Sequence, residues 1–241
     1  MKYLKSVLIG LLLFIVAVRF PDIHYNFLRS KAQQGVVMIT RKDGRSGGTG
    51  FHIKSPSGKV YILTNAHVCG LAENNVLYIT DDFNRTIPRQ VLETSDETDL
   101  CLVEPLPNYH GYLKVGSESS SGQIVWAVGH PALMPTTMTQ GEVIGKQKIV
   151  LLDHYMNDPE DGSCNLPKNR ILKLQRFFGE VIVCAVEIEA NLSTVLILPG
   201  SSGSPVVNFW GKVVGVIFAG TQNDWGIFIT VKDINKFLEP Y

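Results

Sequence analysis

Three short segments of this sequence carry residue types that could work together as nucleophile, base and acid. Leu63-Thr64-Asn65-Ala66-His67-Val68 is an apolar run turning, through small residues, into a histidine. Thr98-Asp99-Leu100-Cys101-Leu102-Val103 sets an acid at the mouth of a second apolar run. Pro199-Gly200-Ser201-Ser202-Gly203-Ser204-Pro205 holds a serine between glycines, with apolar runs on both sides. Taken singly, each has an ordinary explanation: a solvated histidine, a turn-forming aspartate, a polar loop. Together they meet a chemical requirement. A serine hydroxyl is a weak nucleophile until a neighbouring base takes its proton, and that base needs an acid to fix its tautomer and steady its charge. Donors must also be aimed at the oxyanion that develops. Gly200 and Gly203 allow the tight backbone that exposes such N–H groups.

The elements that must position these residues read as strands. Val36–Thr40, Thr49–Ile53, Val60–Thr64, Val76–Thr80, Thr86–Glu93 and Leu100–Glu104 are short runs rich in Val, Ile and Leu, separated by turn residues. After a polar connector from Pro105 to Gly122, a second set follows: Ile124–Val128, Thr139–Ile144, Val181–Glu187, Pro205–Val207, Val213–Phe218 and Gly226–Thr230. Asp153 to Lys173 has no clean period and reads as a long surface insertion. Ile234, Phe237 and Leu238 recur at helical spacing, so the chain should close with a helix over 231–239. Two groups of six strands with no helices between them predict an all-β protein of two antiparallel barrels or sandwiches.

The 241 residues suffice for one domain or two packed lobes. Lys plus Arg and Asp plus Glu number 22 each, so no basic excess points to nucleic acid. The first twenty residues stand apart. Lys2 and Lys5 precede an uncharged, mostly apolar run from Ser6 to Val18, closed by Arg19. This reads as a signal peptide or an uncleaved signal anchor over 1–20. Residues 21–34 then form a linker or short helical neck. Either reading of the leader puts the rest of the chain outside the cytoplasm, secreted or held to a membrane by its N-terminus. Cys69, Cys101, Cys164 and Cys184 lack metal-site spacing, so they are either disulfides or buried thiols. No pattern calls for a metal or a cofactor. His52, His67, His110, His130 and His154 form no helical pair with an acid of the metal-hydrolase kind.

The Thr-Asn-Ala-His-Val, Asp-Leu-x-Leu-Val and Gly-x-Ser-Gly-Ser-Pro segments, in that order, resemble the signature blocks of trypsin-like serine proteases. They are most similar to the Deg/HtrA type. Gly48-Thr49-Gly50-Phe51, Ala127-Val128-Gly129-His130-Pro131 and Thr139-Gln140-Gly141-Glu142-Val143 extend the likeness, which runs from about Val36 to the C-terminus. The resemblance implies a protease domain over 35–241. Its two perpendicular six-stranded barrels would span about 35–105 and 123–230, with the active site between them. It further implies that Ser202 is the nucleophile, His67 the base and acid, and Asp99 its orienting partner, with the N–H groups of Gly200 and Ser202 as oxyanion hole. The substrate would be a polypeptide. A catalytically silent, membrane-tethered binding domain on the same fold is the alternative. Ser201 stands where digestive members have the Asp that pairs with a freed N-terminus, so activation by that ion pair is not expected. No peptide-binding module of the Deg kind is expected after the closing helix.

By the same resemblance, Leu196, six residues before the nucleophile, should lie at the base of the pocket for the residue preceding the scissile bond. Phe218, Ala219 and Gly220 should form its opposite wall. Such a pocket has no charge for Lys or Arg and should take apolar side chains. If His67 and Asp99 meet as implied, Cys69 and Cys101 come near enough to bond, leaving Cys164 and Cys184 to pair. Other hydrolase types fit poorly. An α/β-hydrolase needs its histidine after the serine, and a subtilisin order needs Asp before His on an α/β scaffold.

Overall fold

The computed structural model describes residues 21–81, 83–95, 97–152, 171–176, 179–221 and 225–241. Six strands close the first barrel: β1 (Val36–Thr40), β2 (Gly47–Lys54), β3 (Val60–Thr64), β4 (Val76–Thr80), β5 (Thr86–Ser95) and β6 (Leu100–Val103). All are antiparallel, in the order β1-β2-β3-β6-β5-β4. Alternation along each strand sends one row of side chains inward and the next outward. Ile39, Ile62, Leu77 and Ile79 fill the barrel. Their neighbours Phe51, Leu63, Leu100 and Leu102 face outward, yet are fully buried, because the second barrel and the terminal helices cover them.

The second barrel is built from β7 (Ile124–Gly129), β8 (Thr137–Leu152), β10 (Gly179–Leu196), β11 (Pro205–Val207), β12 (Val213–Gly220) and β13 (Trp225–Thr230). Pairing of β13 with β10 closes it. A seventh strand, β9 (Ile171–Arg176), pairs with the first third of β10, Gly179 to Cys184. The two expected sets of six barrel strands are therefore present. One strand differs from expectation. The apolar signal at Val181–Glu187 belongs to a hairpin extending from the barrel, whereas the part of β10 that closes on β13 is Ala190 to Leu196. That part was hidden by Asn191 and Ser193, polar side chains that are fully buried. Ser193 Oγ donates to Gly226 O at 3.0 Å, which satisfies it inside the wall. Lys173 and its neighbours, expected within a loop, lie in β9.

Residues 21–33 form helix α1, and Leu28 and Ala32, one turn apart, are buried in the core between the barrels. A short helix α2 (Ala66–Cys69) follows β3. The closing helix α3 (Val231–Leu238) starts at Thr230, whose hydroxyl accepts from Asp233 N, and buries Val231, Ile234 and Leu238. No described helix is long and apolar enough to cross a membrane. The N-terminal apolar run and the Cys164–Cys184 pairing lie outside the described residues. Cys69 and Cys101 are joined in a disulfide, with their Cα atoms 6.5 Å apart.

Candidate active site

Helix α2 carries His67, and a turn before β6 carries Asp99. Antiparallel pairing of β3 with β6, Thr64 opposite Cys101, brings the two together. Asp99 then binds the start of α2 at four points. Its carbonyl accepts from Ala66 N at 3.1 Å and from Asn65 Nδ2 at 3.0 Å. Its carboxylate accepts from His67 N at 3.0 Å and meets His67 Nδ1 at 2.8 Å. A carboxylate can only accept, so Nδ1 carries a proton, and in the neutral imidazole Nε2 is then the lone-pair acceptor. Asp99 holds a left-handed φ of 51°, uncommon for a residue other than glycine. The hydrogen bonds and the Cys69–Cys101 link, two residues beyond each partner, hold it there.

Ser202 is set beside the histidine helix by its main chain, and among the described residues no hydrogen bond joins its hydroxyl to His67. Thr49 N, on β2, donates to Ser202 O at 2.7 Å. A Cβ on Gly48 would lie 2.9 Å from Ser202 O and 2.8 Å from a methyl of Val68, the residue after His67. Only a glycine lets the nucleophile turn and the histidine helix approach so closely. Gly203, at φ +84°, is equally constrained, since a Cβ there would lie 1.9 Å from Thr49 O.

The turn before Ser202 has the sequence its geometry demands. Ser201 N donates to Leu198 O at 2.9 Å across Pro199 and Gly200, and Gly200 has φ +93°. Proline second and a positive-φ glycine third make this a type II turn. Pro199 O accepts from Ala132 N at 2.6 Å. Carbonyl and N–H of a trans peptide point in opposite directions, so this contact turns Gly200 N–H away from Ala132. Among the described residues, neither Gly200 N–H nor Ser202 N–H donates to another protein group.

A signal missed in the sequence is Thr49. Its Oγ1 donates to Gly200 O at 2.9 Å and accepts from His130 N at 2.9 Å. Its hydroxyl thus joins the first barrel, the nucleophile turn and the loop after β7. That loop, Pro131–Leu133, has left-handed Ala132 and Leu133. His130 steadies it: Nδ1 bonds Met134 O at 3.0 Å, and burial lowers the imidazole pKa. The pattern Gly-Thr-Gly marked the segment, but nothing in it showed that the hydroxyl would bond another residue's carbonyl.

The expected pocket residues divide. Leu196 is 60 % exposed and lines, together with Ile197, Ala127, Met134, Thr139 and Leu198, a cavity of about 330 Å³. Phe218 is buried in the core between the barrels. Ile197 is the side chain that meets Gly220, 3.0 Å from where a Cβ would stand, and it also meets Gly226 at 3.4 Å. Ala219 and Gly220 lie opposite Ile227 and Gly226 on β13. Ile197, one residue after Leu196, is thus the side chain that packs against Gly220 and Gly226. Phe218 follows Val216 onto the face between the barrels by ordinary strand alternation, with Ile217 pointing the other way. Among the described residues, no cluster of His, Cys, Asp and Glu could hold a metal ion.

Comparison with known proteins agrees with this architecture. Residues 48–216 match the family model described as a trypsin-like peptidase domain. A "Serine protease HtrA-like" of Staphylococcus aureus strain bovine RF122 is 28 % identical over 202 residues, and that of strain USA300 is 27 % identical. These matches cover 80 % of this chain, which spans only 23 % of the length of either relative. Among solved structures, the Rv3671c protease of M. tuberculosis in its active form superposes with a TM-score of 0.67 at 19 % identity, covering 91 % of this chain and 86 % of that one. The serine endoprotease from Yersinia pestis gives 0.63 at 19 % identity, covering 90 % and 65 %. With more than half of its length matched by the family model, this chain belongs to the trypsin-like peptidase domain family.

Proposed function

We propose that this protein is a serine endopeptidase that hydrolyses peptide bonds through Ser202, His67 and Asp99. The two-point contact of the Asp99 carboxylate with the His67 ring and main chain carries the reading. In this mechanism Ser202 Oγ attacks the scissile carbonyl while His67 Nε2 takes its proton. Asp99 steadies the imidazolium. Gly200 and Ser202 N–H groups hold the tetrahedral oxyanion, and His67 then gives its proton to the leaving amine. Water repeats the sequence on the acyl-enzyme, restoring Ser202. The substrate is a polypeptide with an apolar side chain before the scissile bond, received between Gly220 and Gly226 with Ile197 at its base.

The protease lobe acts on the extracytoplasmic side, exported or tethered by the first twenty residues. The Cys69–Cys101 disulfide supports an oxidising compartment. A compartment-sensitive reporter fused after Tyr241 tests this, and a cytoplasmic signal would overturn it.

A fluorophosphonate probe tests the chemistry, because only an activated serine reacts. The native chain should label and folded Ser202→Ala should not. A folded native chain that stays unlabelled would reject the enzyme and leave a silent binding domain on the protease fold.

A further inference from the structure

Helix α1 and the turn joining β11 to β12 together expose an apolar shoulder. Ile23 and Phe27, one helical turn apart, are 62 % and 54 % exposed, and Trp210 is 68 % exposed. Lys31 joins them. Its Nζ lies 5.7 Å from the centre of the Phe27 ring and donates to Trp210 O at 3.0 Å. Phe209 stacks on His24 at 3.8 Å between ring centres and meets Trp210 edge-on at 5.1 Å.

The Trp210 turn is held rigidly in this attitude. Asn208 Oδ1 accepts from both Trp210 N and Lys212 N, and Gly211 supplies the positive φ. An exposed tryptophan on a pinned turn, beside a continuous apolar row, marks an interaction surface. What covers it follows from the chain. Ile23 and Phe27 stand five and nine residues after Val18, the end of the uncharged apolar run that begins at Ser6. Tryptophan and phenylalanine with lysine between them suit the boundary between headgroups and acyl chains, where an apolar ring and a charged tip are both satisfied.

We propose that Ile23, Phe27, Phe209 and Trp210 form an interfacial anchor that seats the protease lobe on the bilayer entered by the N-terminal run. The proposal rests on the tether reading given above. It adds that the lobe is held at a fixed attitude against the lipid surface instead of swinging free.

Full-length chain in phosphatidylcholine vesicles, with and without brominated acyl chains, tests it. Bromine quenches only tryptophans that reach the acyl boundary. Emission should be quenched in brominated vesicles, and Trp210→Phe, which keeps the turn and leaves Trp126 and Trp225, should lose most of that quenching. Vesicle-bound chain with Trp210 unquenched overturns the anchor while leaving the tether standing, whatever else covers the patch. Chain that fails to sediment with vesicles overturns both.

Discussion

At the scale of single residues, the site separates groups that react from groups that hold them. Removing the proposed nucleophile or base, by Ser202→Ala or His67→Ala, should lower peptide hydrolysis by roughly 10⁴-fold or more without unfolding the chain. Near-normal turnover by folded Ser202→Ala would sink the triad. Thr49 belongs to the second kind. Thr49→Val keeps the shape but removes the hydroxyl that holds Gly200 O and His130 N. With the peptide after Gly200 less firmly set, kcat should fall about 10- to 100-fold with little change in KM. Thr49→Ser should restore most of it. Equal activity of Thr49→Val and the native chain would show that the turn stands without this clamp. In the proposed function Ile197 stands at the base of the substrate pocket. Peptide-library profiling should find Ala, Val, Leu or Met before the scissile bond. Ile197→Ala should shift preference toward larger apolar residues by about 1–3 kcal/mol. A dominant preference for Arg, Lys or Glu would refute the apolar pocket.

At the scale of elements, α2 is only four residues long and cannot hold itself in place. Asp99 grips one side of it and Cys69 ties its end to β6. The bond closes a loop with a sequence separation of 32. The chain-entropy model gives such a loop roughly 3–4 kcal/mol. Paired Cys69→Ala and Cys101→Ala should therefore lower stability by about that amount. Activity should fall further than stability alone explains, because the bond anchors the helix bearing His67. A thermal denaturation series beside kcat/KM at a temperature where both forms are folded separates the two effects. Unchanged stability would mean that the reduced barrel is already held shut by β3 and β6.

At the scale of the molecule, His52 ties the N-terminal, first-barrel and connector segments together. Its Nδ1 bonds Gly35 O at 3.2 Å, at the end of α1, and its Nε2 accepts from Leu106 N at 3.3 Å, in the connector between barrels. Burial lowers its pKa to about 4, only partly opposed by the bond to Gly35. A histidine whose pKa is lowered by folding binds its proton first in the unfolded chain. Its contribution is therefore intact above about pH 6.5 and is lost as pH falls toward about 4, by roughly 3 kcal/mol. Burial lowers the His130 pKa too, so it acts in the same direction. The melting temperature should drop between these limits, and His52→Gln should flatten the drop while lowering the plateau. A pH profile in that range identical for native chain and variant would exclude His52 as its source.

The division between sequence and fold follows from the range of each interaction. Most strands, their two groups and the closing helix were legible because alternation and turn residues are local; closure into barrels was implied by the resemblance, and β9 lay in a segment without a clean period. The meeting of His67 with Asp99, and the Cys69–Cys101 bond, followed from the resemblance, since each cysteine stands two residues beyond one of that pair. Strand register was not legible. Whether Leu196 or Ile197 faces Gly220 depends on how β10 leaves its pairing with β13, whose register shifts between Leu192 and Leu196. The burial of Asn191 and Ser193 in a barrel wall likewise contradicts their local polarity, and for Ser193 a carbonyl from β13 satisfies the side chain. Thr49 was invisible as a clamp because its partners are main-chain groups of Gly200 and His130, which every residue carries. Residue type can announce a nucleophile or a base; only the tertiary structure decides which backbone groups come within reach of a hydroxyl 151 residues away.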